Sequence, residues 1–149
     1  MLWHRESLSS HMRFLLLLAL PLFSLAARAS DDELRATMLE LTAKDASKVK
    51  SAIEKLARSG DSRLVSFFEN YSKDNLYIYE KQVVICAEIE EVEEVKFTKP
   101  LEALTGKPLL DAAGKGLRVK LDDLSEVSPG RNRPLIKDAL TVLRLSDRD

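Results

Sequence analysis

The densest set of reactive groups in the chain is acidic: Glu88, Glu90, Glu91, Glu93 and Glu94 place five carboxylates within seven residues. Carboxylate oxygens suit Ca²⁺, but a calcium loop alternates its ligands with Gly, Asn and backbone turns, and none interrupts this run. The segment reads instead as a solvated turn or sheet edge carrying self-repelling charge, and no metal ligand is assigned. Gly106-Lys107 and Gly114-Lys115 invite a phosphate-loop reading. That loop requires G-x-x-x-x-G-K-[ST] between a strand and a helix; here Pro108 and Gly116 follow the lysines, so both are ordinary loops. Arg131, Asn132 and Arg133 place two guanidinium groups beside a final helix. They are the candidate partner-contact residues, suited to an anion or a partner's carboxylate, although helix entry and solubility alone also account for them.

Both histidines, His4 and His11, lie near the N-terminus, and Cys86 is the single cysteine. Beyond His11 there is no imidazole for Ser-His or Cys-His pairs or for His-ligated zinc. One cysteine closes no intramolecular disulfide. Cys86 falls in the apolar run Val83-Val84-Ile85-Cys86-Ala87, where a buried, inert thiol is expected. Nothing pairs a nucleophile with a base at recognisable spacing. The reading is a non-enzyme with no catalytic residue and no cofactor.

The first 29 residues read as a cleavable export signal. Arg5, His11 and Arg13 form a positive start, Phe14 to Leu25 an apolar run, and Ala27-Arg28-Ala29 a small-x-small cleavage pattern. Met12 offers an alternative start just before Arg13. The run is shorter than the roughly 20 apolar residues a spanning helix needs and contains Pro21. A periplasmic location follows, with no stable membrane span in the mature chain. Removing 29 of the 149 residues leaves 120, one modest domain's worth. Three of the 23 basic and one of the 24 acidic residues go with them, leaving 20 and 23. That balance argues against nucleic acid as a partner.

The elements that must position these groups suggest an α+β chain of three segments after the signal. Residues 30–73 are helical. Leu34, Met38 and Leu41 repeat at helical spacing, with Asp31 and Asp32 as N-cap candidates. A second helix fits Ala46 to Ser59, capped by Asp45 and stopped by Gly60. A third, entered at Asp61 or Ser62, carries Leu64, Val65, Phe67, Phe68 and Tyr71. The two resemble the helix pair of a HEAT-type repeat. Residues 74–128 read as a small, mostly antiparallel β unit: Leu76–Tyr79, a turn at Glu80-Lys81-Gln82, Val83–Glu88, Val95–Thr98 and an alternating strand from Leu117 to Leu121. Residues 129–149 hold a helix from about Pro134, with Leu135, Ile136, Ala139, Leu140, Val142 and Leu143 as its apolar positions.

The stretch 74–145 resembles a known family. Asn75-Leu76-Tyr77, Val83-Val84-Ile85, the segment Leu101-Glu102-Ala103-Leu104-Thr105-Gly106-Lys107-Pro108-Leu109, then Leu124-Ser125-Glu126-Val127, Asn132-Arg133 and Ala139-Leu140-x-Val142-Leu143-Arg144-Leu145 carry the likeness. Together they are similar to the extracytoplasmic N-terminal region of the urea ABC transporter permease, where HEAT-like helices follow a signal sequence. In that family the chain continues into further helical repeat and a multi-spanning permease, which this sequence lacks, so no substrate-binding residue carries over. The resemblance implies an interaction or assembly module, truncated before the membrane part. Its partners would be urea transporter subunits or a periplasmic binding protein. The alternative is a small binding protein for urea or a related amide, with Asn75, Tyr77, Tyr79 and Asn132 as its polar groups.

Overall fold

The computed structural model describes residues 30–146; the export-signal reading falls on residues 1–29, outside them. The chain divides into two compact units, Met1–Glu33 and Leu34–Asp149. Of the first, only residues 30–33 are described, as the start of a helix over 30–39 (α1). Since residue 30 is already helical, Asp31 and Asp32 lie inside the helix rather than at its cap. The turn closes as a 3-10 segment, Glu40–Thr42.

Helix α2 covers Ala46–Arg58, and the Asp45 carboxylate caps it by accepting from the Ser47 N–H at 2.8 Å. Gly60, at φ +68°, supplies the left-handed residue that ends it. Helix α3 covers Arg63–Ser72. Its entry is organised by Asp61, which accepts from the Arg63 N–H at 3.0 Å and pairs with the Arg63 guanidinium at 2.6 Å. The hydrogen bond from Arg63 holds the Asp61 carboxyl below its ordinary range.

Strands β1 (Leu76–Tyr79) and β2 (Gln82–Ile85) form a hairpin whose two turn residues, Glu80 and Lys81, both have positive φ. The strand thus begins at Gln82, which the sequence pattern assigned to the turn. β3 (Ile89–Val92) and β4 (Val95–Thr98) form a second hairpin turning at Glu93-Glu94, again with two positive φ values. The acidic run is therefore an exposed edge strand and its turn. Short strands β5 (Leu101–Glu102), β6 (Val119–Lys120) and β7 (Ser125–Glu126) complete two antiparallel sheets, ordered β5-β2-β1-β7 and β3-β4-β6. The strand foreseen from Leu117 to Leu121 is shorter, because Leu121–Asp123 turns into a 3-10 helix.

Helix α4, Arg133–Ser146, packs against both α2 and α3. One core joins Leu34 and Met38 from α1, Ile53 and Leu56 from α2, Phe67 and Tyr71 from α3, Leu76, Val83 and Ile85 from the larger sheet, and Ile136 and Leu143 from α4. The α+β class is thus realised with a C-terminal helix closing the core. Phe67 and Phe68 pack edge to face with ring centroids 5.3 Å apart. Among the described residues no helix is long and apolar enough to cross a membrane.

Candidate functional site

The three residues singled out at the entrance to α4 do different things. Arg133 donates from Nη1 to the Ser72 carbonyl and from Nη2 to the Asp74 carboxylate, both at 2.6 Å. Its target is the end of α3, where the Asp74 N–H reaches the Tyr71 carbonyl (3.2 Å) and the Asn75 N–H reaches Asn70 (3.0 Å). That is the Schellman pattern, with Asp74 at φ +60° in the position glycine usually takes. Arg133 therefore clasps α4 to α3. Asn132 is half-buried and ends a short 3-10 turn, Gly130–Asn132, its N–H bonded to the Pro129 carbonyl at 2.8 Å. Arg131 alone is exposed with no hydrogen bond or ion pair among the described residues.

The polar groups suggested for an amide pocket do not converge. The Asn75 side-chain amide donates to Asn70 Oδ1 at 3.2 Å, and the Asn75 backbone carbonyl accepts from the Cys86 N–H at 2.8 Å. Tyr77 lies mid-sheet between Val84 and Glu126. Tyr79 instead lines a different recess, beside Leu110 and Leu117.

On the smaller sheet, Glu90 pairs with Lys99 at 3.1 Å and Arg118 at 3.5 Å, while the Arg118 guanidinium stacks 3.8 Å from the Phe97 ring centre. These contacts tie strand to strand. Cys86 is buried, and desolvation pushes its thiol up to about 11 against a weaker opposing hydrogen bond with Thr98. It is not a nucleophile at neutral pH.

The Ala103-Leu104-Thr105-Gly106-Lys107-Pro108 segment is a structural knuckle. Ala103 and Leu104 are buried in the core, and Gly106 takes φ +66° with its N–H on the Glu102 carbonyl at 2.8 Å. Glu102 Oε2 accepts from the Thr105 N–H at 2.7 Å, and Oε1 accepts from Arg35 Nε at 3.2 Å. Burial raises the Glu102 pKa, yet these hydrogen bonds, with a further one from the Leu104 backbone, hold it below its ordinary value.

Two recesses have apolar linings. One, of about 290 Å³, lies between α1 and β2, floored by Met38 and Val83 and rimmed by Arg35, Lys81, Gln82 and Glu102. The other, of about 310 Å³, is a groove between α2 and α4, formed by Ile53, Ala57, Leu135, Ala139 and Val142. Beside it on α4, Val142 is 47% and Leu145 58% exposed. The sequence contained a signal for this groove: α4 is apolar at 135, 136, 139, 140, 142, 143 and 145, more positions than one buried stripe uses. Comparison with known proteins matches the chain to no family model, no curated protein and no solved structure.

Proposed function

We propose that the chain is an exported, non-catalytic interaction module, akin to the N-terminal domain of the urea ABC transporter permease. It acts in urea uptake by assembling with a transporter subunit or its periplasmic binding protein, and does not transport alone. The observation that carries this reading is the α2–α4 groove with its exposed Val142 and Leu145. Helical-repeat units bury such faces by stacking a further helix on them, and the occupant proposed here is a helix of the transport system. Arg131 supplies an unpaired cation near the start of α4 for a partner's carboxylate. Arg133, Glu102, Glu90 and Asp61 support the same reading, since each holds the chain's own elements together.

The test is affinity capture of the C-terminally tagged full chain from cells co-expressing the urea transporter subunits and binding protein. A transport component should co-purify, and Val142→Glu with Leu145→Glu should reduce its recovery about tenfold, since burying an unpaired carboxylate costs at least 1.4 kcal/mol. Absence of every transport component from the eluate removes the assembly role.

A further inference from the structure

The geometry points to the recess between α1 and β2 as a binding site for a small amphiphilic monocarboxylate, a carboxyl group on a short unbranched apolar chain. This goes beyond the assembly reading and uses a different part of the surface. The apolar lining open to a ligand comes from half-buried Leu39 and exposed Ala36, backed by Met38 and Val83, which are buried behind them. Small-molecule clefts combine an apolar lining with a few convergent polar groups and measure roughly 300–1,000 Å³. At about 290 Å³ this one lies at the lower bound, which selects a short chain.

The rim sets the sign of the head group. Lys81 brings a cation and Gln82 an amide, while the Arg35 guanidinium is paired with Glu102 at 3.2 Å. Glu102 is the one carboxylate lining the recess, and each of its oxygens already accepts a hydrogen bond, Oε1 from Arg35 and Oε2 from the Thr105 N–H. Its charge is balanced by Arg35, which leaves Lys81 to set the sign of the rim. Lys81, in contrast, is exposed in the β1–β2 turn and makes no ion pair among the described residues. An ammonium at the edge of an apolar hollow recognises a carboxylate by a charge-assisted hydrogen bond while the alkyl tail covers the accessible apolar surface of Leu39 and Ala36. A neutral amide of equal length fills the hollow equally well but gains no ionic contact.

The experiment is a two-dimensional ¹⁵N–¹H NMR titration of the full chain with hexanoate and, separately, hexanamide. Saturable shifts at Ala36, Leu39, Gln82 and Val83 are expected with hexanoate, with a dissociation constant on the order of 1 mM. Hexanamide should bind about tenfold more weakly, and Lys81→Gln should weaken hexanoate by about the same factor while leaving hexanamide unchanged. Ala36→Phe, at an exposed position that a folded chain tolerates, should block both ligands. Equal affinity for acid and amide overturns the anionic assignment. Shifts that stay linear to tens of millimolar, or that persist in Ala36→Phe, overturn the site.

Discussion

Arg133 joins α3 to α4, its guanidinium donating to the Ser72 carbonyl and to the Asp74 carboxylate, each at 2.6 Å, which gives it the helix-entry role that its position beside α4 also allows. The residue types at 131–133 show positive charge, but not that Asp74, 59 positions earlier, sits within 2.6 Å of one of those guanidiniums. Such long-range pairing leaves no local pattern. Replacing Arg133 by Ala should cost about 1 kcal/mol, a value kept low because the side chains are half exposed. Lys should restore less than half of it, for one ammonium cannot span both acceptors. Urea denaturation of the three proteins at low salt measures this directly, since an ionic denaturant would screen the pair. Cys86, in contrast, was legible as a buried thiol from its apolar neighbours alone. Its pKa stands at about 11 instead of the ordinary 9.0, so the folded state holds that proton more tightly than the unfolded chain. The contribution to stability is whole below pH 9 and is lost as pH rises from 9 through 11. A thiol reagent at pH 8 should accordingly modify Cys86 only at the rate of unfolding.

Helices and long strands followed from periodicity because each carries its own apolar stripe. α2 and α3 appear close to their expected bounds, with the Asp45 and Asp61 carboxylates and the left-handed backbone of Gly60 in terminal roles. β5 and β7 are two residues each and exist only as partners of β2 and β1, so no local signal marks them. The hairpin turns are a different case. Type I′ geometry needs positive φ at both turn residues and favours Asn-Gly, yet Glu80-Lys81 and Glu93-Glu94 occupy it. The surrounding strand pairing imposes that conformation against local preference. Glu93→Asn combined with Glu94→Gly should therefore stabilise the chain by about 1 kcal/mol, relieving left-handed strain and removing two of the crowded carboxylates. Gly60→Ala should shift stability the other way by about 1 kcal/mol; a methyl there meets no atom within 4 Å, and the penalty is purely that of φ +68°. Thermal melts of both variants test the pair.

For the molecule as a whole, the decisive feature is which parts share the core. The sequence suggested a helical segment, a β segment and a final helix in succession, but α4 returns to pack on α2 and α3, and the buried cluster draws on α1, all three of those helices and the larger sheet. Closure of this kind depends on contacts far apart in sequence and could not be read from element order. It predicts that helices and larger sheet unfold together. Leu143, 1% exposed, lies in that shared core, and Leu143→Ala should cost about 2–5 kcal/mol. Its effect should be equal whether unfolding is followed by far-ultraviolet circular dichroism or by tyrosine fluorescence from Tyr71, Tyr77 and Tyr79. A helical transition preceding the tyrosine one would instead make the helices a separate cooperative unit. The smaller sheet stands apart from this core: β3 is exposed at every residue, and Thr98 is the one buried position in its three strands. Little apolar burial opposes its opening, so its amides should exchange through local opening well below the global stability. Hydrogen exchange should find the cross-strand-bonded amides of Glu90, Val92 and Phe97 orders of magnitude less protected than those of Tyr77 and Val84. Leu143→Ala should reduce protection at the latter two and leave the smaller sheet unchanged, because only the larger sheet is tied to the core that the substitution weakens.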